Sequence, residues 1–329
     1  MWRNIILSGG SIYGLAHVGF IKYLEDQKLL SSLNKIIGSS IGSIIASFIA
    51  FGFAPDDIWN FILKLDMQVL AKLNMDPAFI LENLGLNNGE IIYNFLNVVF
   101  ERKTNIKDIT FAQYNEWIIS QGKSHHLIIT GVCLNTGETV YFDHVRTPTM
   151  SVAKAVRISS SIPPLFTPVN HDGYLFVDGS IGDNFPIDEV KGEENETISS
   201  MIIIKYNLEV KNIEDYAYAL MMLFSRRILY HDALKYEKNT VIIDRPNEGS
   251  AYDFDINNDF KTRLFELGYE KTRDFCEKKI KCVHNEEDNK HSTKDSNNEP
   301  TLNESINETR LDLDAILNDM LSSESKHNE

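Results

Sequence analysis

The 329-residue chain is poor in cross-linking chemistry: it has three cysteines, Cys133, Cys276 and Cys282. An odd number without framework spacing excludes a disulfide scaffold. The lack of a C-x-x-C pair or a Cys/His cluster excludes the ligand spacing of a structural metal site. Cys133 lies in an apolar run and reads as a small buried hydrophobe. Positive charge is also scarce, with 32 Lys/Arg against 47 Asp/Glu and a formal net charge of −15. Such a surface repels phosphate, which argues against nucleic acid as a partner, and it gives no electrostatic help in docking on anionic lipid. Only Ile5-Ile6-Leu7 follow the first four residues before a glycine turn, too few for the core of a secretion signal, so the expected location is cytoplasmic. One uncharged stretch, 36–53, nears bilayer-spanning length, but its glycines and serines divide it into a strand, a turn and a buried helix.

What the chain does contain is a regular alternation of strand-like and helix-like runs, with 43% hydrophobic residues to fill a core. Strands are expected at 4–8, 35–39, 126–134, 138–144, 174–177, 198–206 and 240–244. Helices are expected at 15–27, 42–53, from Pro55 onward through the apolar stretch 61–100, and at 149–159, 213–238 and 257–281. This order predicts an α/β fold with a mostly parallel sheet covered on both faces, plus one hairpin at Asn135-Thr136-Gly137. After Cys282 the text turns polar, with twelve Asp/Glu against four Lys/Arg in 283–329. That composition predicts a folded unit over 1–282 and an acidic, largely disordered tail over 283–329. Within the tail, Leu313, Ile316, Leu317, Met320 and Leu321 recur at helical spacing, so a partner-binding helix over 311–321 is one reading.

Three segments carry chemistry. The first is Ile36-Ile37-Gly38-Ser39-Ser40-Ile41-Gly42, in which a serine sits between glycines at a strand-to-helix turn. This is the requirement of a nucleophile elbow: Gly38 and Gly42 remove Cβ atoms that would clash, and Ser40 is held exposed at a helix N-terminus. The second is Gly9-Gly10-Ser11-Ile12-Tyr13-Gly14, a glycine-rich strand-to-helix turn able to present backbone N–H groups to an oxyanion. Both turns leave the carboxyl edge of adjacent parallel strands, where open α/β sheets hold their sites. The third is Val177-Asp178-Gly179-Ser180, which brings a carboxylate to the end of a strand and leads into Asp183-Asn184-Phe185-Pro186.

With Ser159-Ser160-Ser161-Ile162-Pro163-Pro164-Leu165-Phe166-Thr167-Pro168-Val169, these segments resemble the patatin-like phospholipases in order and spacing over about residues 5–190. The resemblance implies a three-layer α/β/α fold with a mostly parallel central sheet and a lipid acyl hydrolase using a Ser–Asp dyad. Ser40 would be the nucleophile and Asp178 its base. The oxyanion hole would come from the loop containing Gly9, Gly10, Ser11 and Gly14, and the Asp-Gly motif would continue through Gly179 and Ser180. The implied chemistry needs no metal and no cofactor. Its partner is a lipid or phospholipid ester, reached by peripheral contact with a membrane. The apolar 61–100 region is the best candidate for a substrate-facing lid or a membrane-contact surface, and helices packed on the sheet are the other reading of it. Three positions depart from the family pattern: Ser11 replaces a glycine, Tyr13 replaces an Arg or Lys, and Ser180 replaces a Gly or Ala.

Other readings are weaker. A dinucleotide site would want glycine at position 11 and an acid closing the second strand. A Ser–Asp–His triad could use His231, but the elbow falls early in the chain and His231 lies in a helical run. His17, His125, His126, His144 and His171 show no pairing pattern and are read as structural. The alternative from another class is an inactive lipid-binding or scaffold protein that keeps the fold.

Overall fold

A computed structural model describes residues 1–70, 72–203, 210, 216, 219–220, 235–244 and 254–288. Among the described residues, eight strands form one sheet: β1 (Trp2–Leu7), β2 (Leu30–Gly38), β3 (His126–Cys133), β4 (Glu138–Phe142), β5 (Val169–His171), β6 (Tyr174–Asp178), β7 (Thr197–Ile203) and β8 (Thr240–Asp244). Hydrogen-bonded pairing runs β5-β6-β3-β2-β1-β7-β8, with β4 also paired to β3 along its other edge. The run from β3 to β8 is parallel throughout, and β4, β5 and β6 add antiparallel pairs. The described helices of four or more residues are α1 (Ala16–Asp26), α2 (Ile41–Ala50), α3 (Pro55–Lys64), α4 (Met67–Leu70), α5 (Pro77–Asn83), α6 (Glu90–Thr104), α7 (Phe111–Ser120), α8 (Val152–Ser159) and α9 (Asn258–Asp288).

Side-chain alternation sets the layers. Along β1, Ile5 and Leu7 join the main core beneath the helices, whereas Ile6 faces a second cluster. Ile36 and Ile37 divide in the same way on β2. The second face is covered by Phe185, Ile187 and Val190 with Tyr236 against it. Both faces of the parallel strands are therefore buried, as crossover helices require, and the architecture is the expected three-layer α/β/α.

The uncharged run 36–53 divides into the end of β2, the Ser39-Ser40 turn and α2, and no described helix is long and apolar enough to cross a membrane. The apolar stretch 61–100 is not continuous helix. Asp76 caps α5 by accepting the Ala78 N–H at 3.0 Å, Pro77 opens that helix, and Leu84 ends it in a left-handed conformation. The short pieces cannot bury every apolar residue, and Leu73, Met75, Leu81 and Leu84 are exposed. Helix α9 continues past Cys282 to Asp288. It crosses α1 backbone to backbone: a Cβ on Gly19 would lie 1.9 Å from Phe265 O, and one on Gly268 would lie 1.9 Å from Ala16 O. His231, most of the expected helix over 213–238 and the tail segment 311–321 fall outside the described residues.

Candidate active site

The end of β2 and the start of α2 meet almost without side chains. A Cβ on Gly38 would lie 2.5 Å from the Gly42 carbonyl oxygen, and one on Gly42 would lie 2.3 Å from the carbonyl oxygen of Leu7. With β1 and β2 in register at Leu7 and Gly38, these glycines let α2 begin directly over the sheet edge. Ser40 then takes φ 52° and ψ −128°, a strained conformation that persists only where surrounding contacts hold it. Its backbone is held on both sides: the Ser40 N–H donates to Ser159 Oγ at 2.9 Å, and the Ser40 carbonyl accepts from the Ser43 N–H at 2.8 Å and the Ser43 hydroxyl at 2.6 Å.

Strand β3 measures the distance from this serine to the carboxylate. Ile129 pairs with both Gly38 and Phe142, and Gly131 pairs with both Val140 and Asp178. A strand has two edges, so β2 and β6 share one edge of β3, end to end, with β4 on the other. The ends of β2 and β6 thus lie two residues apart along β3, about 7 Å. Thr130 fills the gap, its Oγ1 donating to Ser39 Oγ at 2.8 Å. A Cβ on Gly179 would meet Thr130 Oγ1 at 2.0 Å, so glycine is needed where β6 runs out against β3. The result is a 2.7 Å hydrogen bond from Ser40 Oγ to Asp178 Oδ2. Asp178 Oδ1 accepts the Ser180 N–H at 2.8 Å, and the Ser180 hydroxyl also bonds the carboxylate, a contact that a Gly or Ala there would not supply.

Asp178 is fully buried, and that desolvation pushes its pKa up to about 6. Hydrogen bonds from Ser180 and Ser40, and the charge of Arg157, act against the rise. Arg157 is itself buried, which lowers its pKa to about 10. It donates to the carbonyls of Asn88 at 2.7 Å and Thr167 at 3.2 Å and to Ser161 Oγ, and it lies over the Phe166 ring at 5.4 Å.

The glycine loop stands beside Ser40: a Cβ on Gly9 would lie 3.0 Å from Ser40 Cβ and 2.5 Å from Asn184 Oδ1. The Gly9 N–H donates to Asn184 Oδ1 at 2.7 Å, so of the four loop residues expected to form an oxyanion hole, Gly9 has its donor engaged. Gly14 serves packing, since a Cβ there would meet Ile41 Cγ2 at 2.2 Å. Ser11 adopts φ 51°, the left-handed conformation that a glycine at this position would reach more cheaply. Tyr13 points into the core, 1% exposed and edge-on to Phe260 at 6.2 Å. Arg157, Ser159 and Asn184 also support the site, through the Asp178 carboxylate, the Ser40 N–H and the Gly9 N–H respectively. Ser159 and Asn184 lie inside the segments that carry the family resemblance, which is their signal in the sequence.

Adjoining both loops is an apolar cavity lined by Leu15, Ile41, Ile45, Phe48, Phe61, Met67 and other hydrophobic side chains. Among the described residues no group of three His, Cys, Asp or Glu is placed to hold a metal ion.

A serine and a carboxylate at the carboxyl edge of a parallel sheet, beside a glycine-rich loop and an apolar cavity, define a hydrolase-type site. The pattern of the patatin-like phospholipase family matches residues 5–191. The chain is 31% identical over 278 residues to an uncharacterized protein of Acanthamoeba polyphaga mimivirus, covering 81% of this chain and 91% of that one. It is 27% identical over 278 residues to a protein named a probable lipid hydrolase from Invertebrate iridescent virus 6, covering 82% and 87%. The fold is similar to that of VipD from Legionella pneumophila, with a TM-score of 0.61 at 17% identity over 84% of this chain and 67% of that one. The chain belongs to the patatin-like phospholipase family.

Proposed function

We propose that this protein is a lipid acyl hydrolase that cleaves carboxylic esters with Ser40 as nucleophile and Asp178 as base. The observation that carries the reading is the 2.7 Å hydrogen bond from Ser40 Oγ to a fully buried carboxylate. Family membership and the lipid hydrolase name of the iridescent virus relative support the substrate class. Ser40 Oγ attacks the ester carbonyl carbon while its proton passes to Asp178 Oδ2. The resulting oxyanion is held by the backbone N–H groups of Gly10 and Ser11, each worth on the order of 3 kcal/mol of barrier. Collapse breaks the ester C–O bond, and the leaving alkoxide takes the proton from Asp178. Water, deprotonated by Asp178, then attacks the acyl-Ser40 ester, releasing the fatty acid and restoring both residues.

The apolar cavity beside Ile41, the residue after Ser40, is the proposed acyl site. Leu73, Met75, Leu81 and Leu84 are exposed on the segment that follows Met67 and Leu70 of the cavity wall, and we assign them the peripheral membrane contact. The close crossing of α1 and α9 supports a catalytic unit reaching about residue 282, with 283–329 as a separate acidic tail. The test is hydrolysis of a chromogenic short-chain ester and of a phospholipid by wild type and Ser40→Ala. The expected loss in the variant is at least about 10³-fold. Equal turnover in the two proteins would remove Ser40 from the mechanism, and lipid binding without turnover in either would favour a scaffold.

A further inference from the structure

The peptide between Ser8 and Gly9 opens the glycine loop, and both of its polar atoms are held by residues without a role in the chemistry above. Its carbonyl oxygen lies 2.8 Å from His17 Nε2, and its N–H donates to Asn184 Oδ1 at 2.7 Å. A carbonyl oxygen only accepts, so His17 Nε2 carries the hydrogen. His17 is fully buried, which pushes its pKa down to about 4 and keeps the ring neutral near pH 7. In a neutral ring with Nε2–H, Nδ1 is an acceptor, so the 2.9 Å contact to Ser200 is a bond donated by Ser200 Oγ. Ser8 Oγ is fixed as well, accepting the Ile202 N–H and donating to the Gly9 carbonyl, each at 2.9 Å. With these partners, an inverted peptide would set donor against donor at His17 and acceptor against acceptor at Asn184. The next residue is wedged too, because a Cβ on Gly10 would lie 2.7 Å from Ile202 Cβ.

Resting on the hydrolase reading, we infer that His17 and Asn184 are positioning residues that lock the Ser8–Gly9 peptide and thereby aim the Gly10 and Ser11 N–H groups at the oxyanion formed on Ser40. His17 reaches the loop from α1 and is tied to β7 through Ser200, while Asn184 reaches it from the segment after Asp178. One peptide plane is thus clamped between the sheet, the first helix and the loop that follows the base. A misaimed donor costs rate more than binding, because the oxyanion exists only after attack.

The test compares His17→Gln, His17→Asn and Asn184→Ala in the full chain. The Gln Nε2 amide can stand where the imidazole Nε2–H stands, whereas the Asn amide reaches only the Nδ1 position. On a soluble ester, His17→Asn and Asn184→Ala should each lower kcat on the order of 10²-fold, the scale of an ångström misplacement, with KM nearly unchanged. His17→Gln should recover most of the rate. Folded His17→Asn with wild-type kcat, or folded His17→Gln as slow as His17→Asn, would overturn the inference. Nitrogen NMR of histidine-labelled protein reads the clamp without turnover. At about pH 5.5 the His17 ring should be neutral with Nε2–H, and Gly9 and Gly10 amide signals should move in His17→Asn and return in His17→Gln. A protonated ring or the Nδ1–H tautomer would overturn the clamp. A wild type that hydrolyses no ester would instead sink the hydrolase reading, leaving the clamp to the spectra.

Discussion

A carboxylate that takes a proton from serine and later returns it needs a pKa near the working pH, and burial lifts Asp178 to about 6. The acid limb of kcat/KM should therefore fall as pH drops through about 6, with a plateau above it. The same shift costs stability. Between the ordinary carboxyl pKa and about 6, the folded chain holds a proton that the unfolded chain has released. The contribution of Asp178 to stability is complete below about pH 4 and lost as pH rises through 6, an effect on the order of 3 kcal/mol. Asp178→Asn should abolish turnover and raise the unfolding midpoint at pH 8. A lower midpoint in thermal unfolding would show that the buried charge is better compensated than its surroundings imply. His17 acts with the opposite sign: with its folded pKa down to about 4, it lowers stability as pH falls from about 6.5 toward 4.

Among the elements, β3 is the one that brings Ser40 and Asp178 together, and its part was only half legible from sequence. The elbow at Ser40, the glycine loop and the strand ending at Asp178 could each be read because each is a local signal, a β-rich run broken by glycine. That β2 and β6 would abut along one edge of β3 could not be read, since it depends on register between strands far apart in the chain. The supporting contacts were hidden for the same reason: Gly9 reaches Asn184 across 175 residues, and Ser40 reaches Ser159 across 119. The apolar stretch 61–100 misled in another way. Its hydrophobicity reads as helical without showing where helices end, and the Asp76-Pro77 start and the left-handed Leu84 divide it into separate helices, with some side chains walling a cavity and some facing outward. The cavity gives a prediction at this scale. Ile45 lines it and is 2% exposed, so Ile45→Trp should fill the space at an overpacking cost of about 1–3 kcal/mol. Relative activity on long-chain over short-chain esters should fall at least about tenfold, since one methylene in an apolar pocket is worth roughly 1–3 kcal/mol. An unchanged chain-length profile would place the acyl group elsewhere.

For the whole molecule, the proposed membrane contact is made by an acidic protein. A formal charge of −15 provides no attraction to anionic headgroups, so that proposed contact rests on apolar side chains. Leu81 is 80% exposed and Leu84 59%, and burying such side chains in a bilayer contributes roughly 1.5–3 kcal/mol each. Leu81→Asp with Leu84→Asp should reduce hydrolysis of zwitterionic phosphatidylcholine vesicles at least about tenfold, leave a soluble ester unaffected, and show little dependence on salt. Equal losses on both substrates would mean that the pair supports the fold and not the surface contact. Helix α9 lies against α1, the helix that bears His17, and so ties residues 258–288 to the body of the fold.

The most direct test is covalent. A fluorophosphonate probe, incubated with folded protein and followed by proteolysis and peptide mass mapping, should attach to Ser40, and Asp178→Asn should slow the attachment sharply. Modification at another serine, or none in protein shown to be folded, would contradict the assignment of Ser40 as the nucleophile.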